Sequence, residues 1–211
     1  MESHLIITIG RQIGAGGLGV AQLLSQEFGL KVYDKELLAA VARESGLDEA
    51  CFEKRDEKSS RGVLGALQGF RSMLGMYNRA GTDTVMNEDK LFQIQSEVMR
   101  GIAAQEDCII VGRCSNIILR EAGVETFDIF LHADKDFRVR RCEELGEYGK
   151  TDPEKFVDRC DHWRETYYHA YTGHTMGNYK DYDISLNVAK LTPQGTIDVL
   201  VGILKDKVRK A

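Results

Sequence analysis

Between Leu5 and Gly29 the chain reads LIITIGRQIGAGGLGVAQLLSQEFG, an apolar run, a glycine-rich turn and a helix in immediate succession. Leu5, Ile6, Ile7, Thr8 and Ile9 have the β-branched continuity of a buried strand. Leu18, Ala21, Leu24 and Phe28 then share one helix face, and Gly29 is placed to cap the C-terminus. The turn between them carries five glycines within ten residues: Gly10, Gly14, Gly16, Gly17 and Gly19. Such a turn aims bare backbone N–H groups and the positive end of a helix dipole at one point, which is a phosphate site. A tight turn without a ligand is the plainer alternative, and it needs fewer glycines.

Two phosphate-binding templates compete for this stretch. Gly14-Ala15-Gly16-Gly17-Leu18-Gly19 spells G-x-G-x-x-G, and Asp34 follows about 20 residues later, as in a dinucleotide fingerprint whose acid holds a ribose hydroxyl. The other is the longer Walker A loop, G-x-x-x-x-G-K-[S/T], which starts directly after the strand. Here Gly10-Arg11-Gln12-Ile13 separates the strand from Gly14, a spacing that favours the longer loop.

In detail the stretch resembles the cytidylate kinase-like family of nucleoside monophosphate kinases, whose loop runs G-x-x-G-x-G-K-G-T. That pattern lies on Arg11 to Gly19, with Gly14 and Gly16 matching. Arg11 stands at the first glycine, Gly17 at the lysine, Leu18 at the next glycine and Gly19 at the threonine. A lysine ammonium about 4 Å from a phosphate oxygen is worth roughly 4 kcal/mol at an effective dielectric near 20. A kinase without it needs a substitute, and Arg11 is the nearest candidate because a guanidinium forks onto phosphate oxygens. Its alternative is a solvent-facing side chain.

Elsewhere the chain alternates strands and helices. Leu30-Lys31-Val32-Tyr33 is a short strand, and Asp34 opens a further helix, as an N-cap or, by resemblance, as part of the acceptor side. Cys51 to Asp89 is irregular, with a mixed-charge run and repeated glycines; by resemblance it is an insertion, about residues 47–90, that receives the monophosphate. Met73, Leu74, Met76 and Tyr77 there have two destinations, a partner subunit in a homo-oligomer or their own core. A helix at Glu88 to Ala104 leads to a buried strand Cys108 to Arg113. By resemblance Arg113 contacts the substrate phosphate, while Val111 and Cys114 replace two aspartates of the family's D-G-R-D.

Ser115 starts a short helix, Phe127 to Leu131 is the fourth strand, and Asp134 is read as the cap of a helix carrying Arg138 and Arg141 on one face. Asp152-Pro153 begins a second helix with Arg159, Asp161, Arg164, Tyr167, Tyr168 and Tyr171. These paired helices resemble the kinase lid, about residues 134–178, whose arginines close over the transferred phosphoryl group; Asp161 and Arg164 match the lid's acid and arginine three positions apart. Each charge taken alone also fits a solvated helix face. Tyr182 to Val188 is the fifth strand, and Thr192-Pro193 caps the last helix.

The expected fold is therefore α/β: a three-layer P-loop NTPase-like domain spanning residues 1–211, with a five-stranded parallel sheet, a helical insertion and a lid. The resemblance implies Arg11, Arg138, Arg141 and Arg164 as catalytic residues and Gly14, Ala15, Gly16, Gly17, Leu18 and Gly19 as the nucleotide loop. It implies Asp34, Arg113, Arg159 and Asp161 as substrate ligands. It also implies ATP and Mg2+, for which Gly19, Val111 and Cys114 leave no obvious protein ligand.

A net charge of −5 and a pI near 5.6 argue against nucleic acid as a partner and leave a small nucleotide or phosphate ligand. No apolar run suits a membrane and no leader pattern opens the chain. Five cysteines without a C-x-x-C pair read as reduced thiols of a cytoplasmic protein. The leading expectation is ATP-dependent phosphoryl transfer to a nucleoside monophosphate or similar acceptor. The alternatives are a nucleotide- or anion-binding protein without catalysis, and a dinucleotide-dependent oxidoreductase resting on G-x-G-x-x-G and Asp34.

Overall fold

The computed structural model describes residues 4–34, 88–149 and 151–208; most of the expected insertion, with Cys51 and Met73 to Tyr77, and the helix after Asp34 lie outside them. Five strands form a parallel sheet in the order β2-β3-β1-β4-β5. They are β1 (Ile6–Arg11), β2 (Lys31–Tyr33), β3 (Cys108–Val111), β4 (Phe127–His132) and β5 (Ile184–Asn187). β1 is central: Ile7 pairs with Ile109 on one side and with Phe127 on the other. A parallel strand with neighbours on both edges is buried on both faces, which is why the first apolar run does not alternate.

The side chains divide by parity. Ile7 and Ile9 point to one face, against Val20, Ala21 and Leu24 of α1 (Gly17–Phe28) and Leu200 and Leu204 of the last helix. Ile6 points to the other, with Val98, Met99 and Ile102 of α2 (Glu88–Ala103) and Ile117 to Leu119 of α3 (Ser115–Glu121). Helices thus cover both faces, giving three layers. Two further helices, α4 (Lys135–Leu145) and α5 (Pro153–Thr172), pack on each other, and α6 (Pro193–Val208) closes the described chain.

Local signals hold at most ends. Gly29 adopts the left-handed conformation and its N–H reaches Ser25 O at 2.8 Å. The Asp152 carboxylate accepts from Lys155 N at 3.0 Å with Pro153 behind it, and the Thr192 hydroxyl accepts from Gly195 N at 3.0 Å.

Three boundaries differ from expectation. The third strand stops at Val111, because Gly112, Arg113 and Cys114 all take positive φ, 79°, 58° and 58°. Asp134 holds the N-cap position of α4 without a side-chain bond to the helix, and its carboxylate faces Lys190 Nζ at 3.6 Å instead. The fifth strand starts at Ile184, not Tyr182. Tyr182 turns inward against Phe130, while the Asp183 carboxylate accepts from Asp128 N at 2.7 Å.

Candidate functional site

The glycine turn leaves β1 at the C-terminal edge of the sheet, where parallel α/β proteins bind ligands. It is stitched to the neighbouring strand: Gln12 N donates to Leu131 O at 3.1 Å, and Ala133 N donates to Gln12 Oε1 at 3.2 Å. Gly14 and Gly16 have φ of 73° and 76°. Ala15 is buried, Leu18 is exposed and Gly19 faces open space. Gly16 caps α1 with no side-chain cap bond, and no acid sits in the first turn. The first N–H groups of α1 have no intrahelical acceptor, so they and the dipole are offered to an anion.

Arg11, last residue of β1, does not point to solvent. Its stem runs along Gly17, where a Cβ would come within 2.9 Å of Arg11 Cγ. Its guanidinium lies on Gly112, where a Cβ would overlap Nη1 and stand 2.8 Å from Cζ. A guanidinium therefore bridges the phosphate loop and the end of β3, across two positions that admit no side chain. Burial first, then the charges of Arg164 and Arg113, push its pKa down to about 10, against a smaller opposing pull from Asp34.

Arg11, Arg113, Arg159 and Arg164 line one cavity of about 400 Å³. Arg113 is held in its left-handed conformation with its guanidinium 5.4 Å from the Tyr167 ring centre, within cation–π range. Arg164 Nη1 donates to Arg11 O at 3.4 Å, and burial lowers the Arg164 pKa. Trp163, half exposed, stacks with Tyr167 at 5.4 Å to form an aromatic wall. The floor is polar: Asn116 Nδ2 donates to Tyr168 Oη at 2.9 Å, Tyr168 hydrogen-bonds Tyr182, and the Tyr182 ring lies on Gly10. Among the described residues, four guanidinium groups line this cavity, in a chain of net negative charge, and Asp34 pulls on Arg11 in the opposite sense.

The other expected site residues lie elsewhere. Arg141 lies over Gly16, where a Cβ would be 2.8 Å from Nη2, and lines a second cavity of about 260 Å³ with Phe137, Leu23 and Thr196. Arg138, expected as catalytic, and Asp161, expected as a substrate ligand, form a buried ion pair and do not line the arginine cavity. Arg138 Nη1 also donates to Ile13 O at 3.3 Å and Nε to Ala133 O at 3.0 Å, while Asp161 Oδ1 accepts from Ile13 N at 2.9 Å. The pair, one member from each of α4 and α5, thus grips both polar groups of Ile13 in the phosphate loop.

Sequence reasoning missed Gly112 as the cradle of Arg11, because a glycine ending a strand carries no sign of what will lie on it. It also missed Trp163 and the Asn116–Tyr168–Tyr182 floor. The spacing Trp163, Tyr167, Tyr171 at successive fours was readable as one helix face. The neighbouring Tyr168 turns to the core, and only Tyr167 and Tyr171 meet Phe92 in the ring stack.

Strand order, glycine turn and helices on both faces define a P-loop kinase fold, and solved structures agree. The chain superposes on an uncharacterized protein from Eubacterium ventriosum with TM-score 0.66 and 22% identity, over 96% of this chain and 99% of that one. Shikimate kinase from Bacteroides thetaiotaomicron gives TM-score 0.54 at 12% identity, over 95% and 98%. A gluconokinase from Sinorhizobium meliloti gives 0.50 at 11%, over 99% and 97%. At such identities the likeness shows the fold alone. No curated protein matches the chain. Residues 6–190 match the model of the cytidylate kinase-like family, and the chain belongs to that family.

Proposed function

We propose that this protein is a cytidylate kinase-like phosphotransferase that moves a phosphoryl group from ATP to a nucleoside monophosphate or similar small anionic acceptor. The observation that carries the reading is Arg11. Its guanidinium enters the gap between phosphate loop and β3 with three further arginines around the same cavity. In phosphoryl transfer the protein mainly positions groups and neutralises charge on oxygens, so guanidinium groups are suited to the task.

In this reading the loop N–H groups from Gly14 to Gly19 hold the donor phosphates, and Arg141 flanks the nucleoside end of the donor beside Gly16. Arg11 takes the part of the absent loop lysine. Arg113 and Arg159 bind the acceptor's anionic group with Asp34 at its edge, and Arg164 clamps the transferred group. Arg138 and Asp161 are positioning residues that fix Ile13. α4 and α5 act as the lid of a single 1–211 domain in a cytoplasmic protein; a homo-oligomer is compatible with it.

Mg2+, which the family resemblance implies, does not fit the residues described. Leu18 and Gly19 carry no hydroxyl, and no cluster of three or more His, Cys, Asp or Glu able to hold a metal occurs among the described residues.

Coupled ADP release, run with ATP against nucleoside monophosphates and small anionic acceptors, tests the reading. Turnover with one acceptor, reduced about a thousandfold in Arg11→Ala, is expected if the guanidinium supplies roughly 4 kcal/mol to the transition state. The second reading, an anion-binding protein without catalysis, is favoured by Gly17 at the lysine position. Nucleotide binding with no ADP from any acceptor would establish it. Thermal stability unmoved by any nucleotide would end both.

A further inference from the structure

The cationic cavity and the phosphate loop together raise the question of what neutralises a polyphosphate here. Kinases of ordinary design divide that work between a lysine and a divalent ion, the ion held by phosphate oxygens, waters and one or two oxygen side chains. In this chain the lysine position is Gly17, and the stem of Arg11 occupies the space beside it. The two following positions offer an exposed leucine and a glycine. The turn after β3 contributes Arg113 and a buried cysteine, Cys114, whose thiol burial pushes up to about 12 and so keeps protonated.

The charges run the same way. Arg11 Nη1 lies on Gly112, immediately before Arg113, and Arg164 donates to the Arg11 carbonyl at 3.4 Å. Burial first, and then these like charges, hold the Arg11 proton less tightly than usual. An anion answers these like charges, and a polyphosphate without a bound dication brings more negative charge to them than the same polyphosphate with one.

We infer, resting on the phosphotransferase reading, that this site takes its polyphosphate as the metal-free anion, neutralised by Arg11, Arg113 and Arg164 in place of a lysine and a divalent cation. The ligand class is a nucleoside triphosphate whose binding does not depend on magnesium. Asp34 acts on Arg11 against this cationic cluster, and its pull is smaller than the push of Arg164 and Arg113 on the same guanidinium.

The test is titration of the intact protein with ATP, once in EDTA and once in excess magnesium chloride at matched ionic strength. Binding is followed by calorimetry and by the fluorescence of Trp163, the single tryptophan, on the cavity wall. The dissociation constant in EDTA should be equal to or lower than that in magnesium. Arg11→Gln should weaken the metal-free titration by at least about tenfold, the equivalent of 1.4 kcal/mol. Arg113→Gln, on a different element, should weaken it in the same direction, which keeps the test intact if one variant misfolds. Binding seen only with magnesium would overturn the inference and leave the phosphotransferase reading standing. Binding in neither condition would overturn the reading itself.

Discussion

Gly17 and Arg11 are two halves of one substitution. A Cβ added at Gly17 would come within 2.9 Å of Arg11 Cγ, so a side chain at 17 and the present path of Arg11 exclude each other. A lysine at 17 is therefore not a repair of the loop. Gly17→Lys alone should expel Arg11 from its place on Gly112 and lower ATP affinity, whereas Arg11→Gly with Gly17→Lys should recover it. Residues in contact couple by about 0.5–3 kcal/mol, so the cycle should depart from additivity by that much in the Trp163 titration. Additive single and double variants would mean that the two side chains do not share the space. The three successive positive φ values at Gly112, Arg113 and Cys114 belong to the same device. A non-glycine residue there is strained by about 1–2 kcal/mol, and such strain persists where surrounding contacts over-determine it.

At the scale of elements, α4 and α5 reach the phosphate loop through one buried pair. Removing one partner of a buried ion pair leaves an uncompensated charge and costs about 3–5 kcal/mol, while replacing both with apolar groups of similar volume is often close to neutral. Asp161→Ala should accordingly lower stability by about 3–5 kcal/mol in urea unfolding, and Arg138→Met with Asp161→Leu by much less. The double variant should still lose activity, because Ile13 loses both its donor and its acceptor. A double variant with full activity would show that the pair stabilises the fold without positioning the loop. The described elements were legible in the sequence, as was the glycine turn; which of the arginines converge on one cavity was not. Periodicity places a residue on a face and glycine marks a turn. The partner across the gap was not legible. Arg138, Arg141, Arg159 and Arg164 are equivalent letters on two helices, and only packing sends Arg138 inward to Asp161 and Arg164 to the Arg11 carbonyl. Thr8 shows the same limit: it reads as one more β-branched strand residue, yet its hydroxyl donates to buried Asp128 at 2.6 Å.

For the whole molecule, the same burial that builds the two-sided core sets how stability responds to alkali. Cys108 lies wholly inside β3 and Cys114 just beyond it, and burial pushes both thiols from about 9 up to about 12. Cys142 and Cys160 shift upward too, burial again the largest cause. Above pH 9 the unfolded chain releases these protons while the folded chain keeps them, so the folded state binds more protons and stability falls as pH rises. Arg11 has the opposite sign. Its pKa is depressed to about 10, so its burden is relieved only as pH climbs beyond 10. Tyr33 and Tyr182, both raised chiefly by burial, add to the loss above their ordinary value near 10. Between pH 8 and 10 the cysteines lead the decline, and the tyrosines and Arg11 enter only toward its upper end. A buried thiol whose folded pKa is about 12 contributes a loss on the order of 1 kcal/mol across this interval. Cys108 and Cys114 together then contribute on the order of 2 kcal/mol, and Cys108→Ala or Cys114→Ala should each flatten the decline by about half that amount. Urea unfolding at the two pH values, in the parent and both variants, reads this directly. A decline of unchanged slope in both variants would place the alkaline sensitivity outside the core that these thiols share.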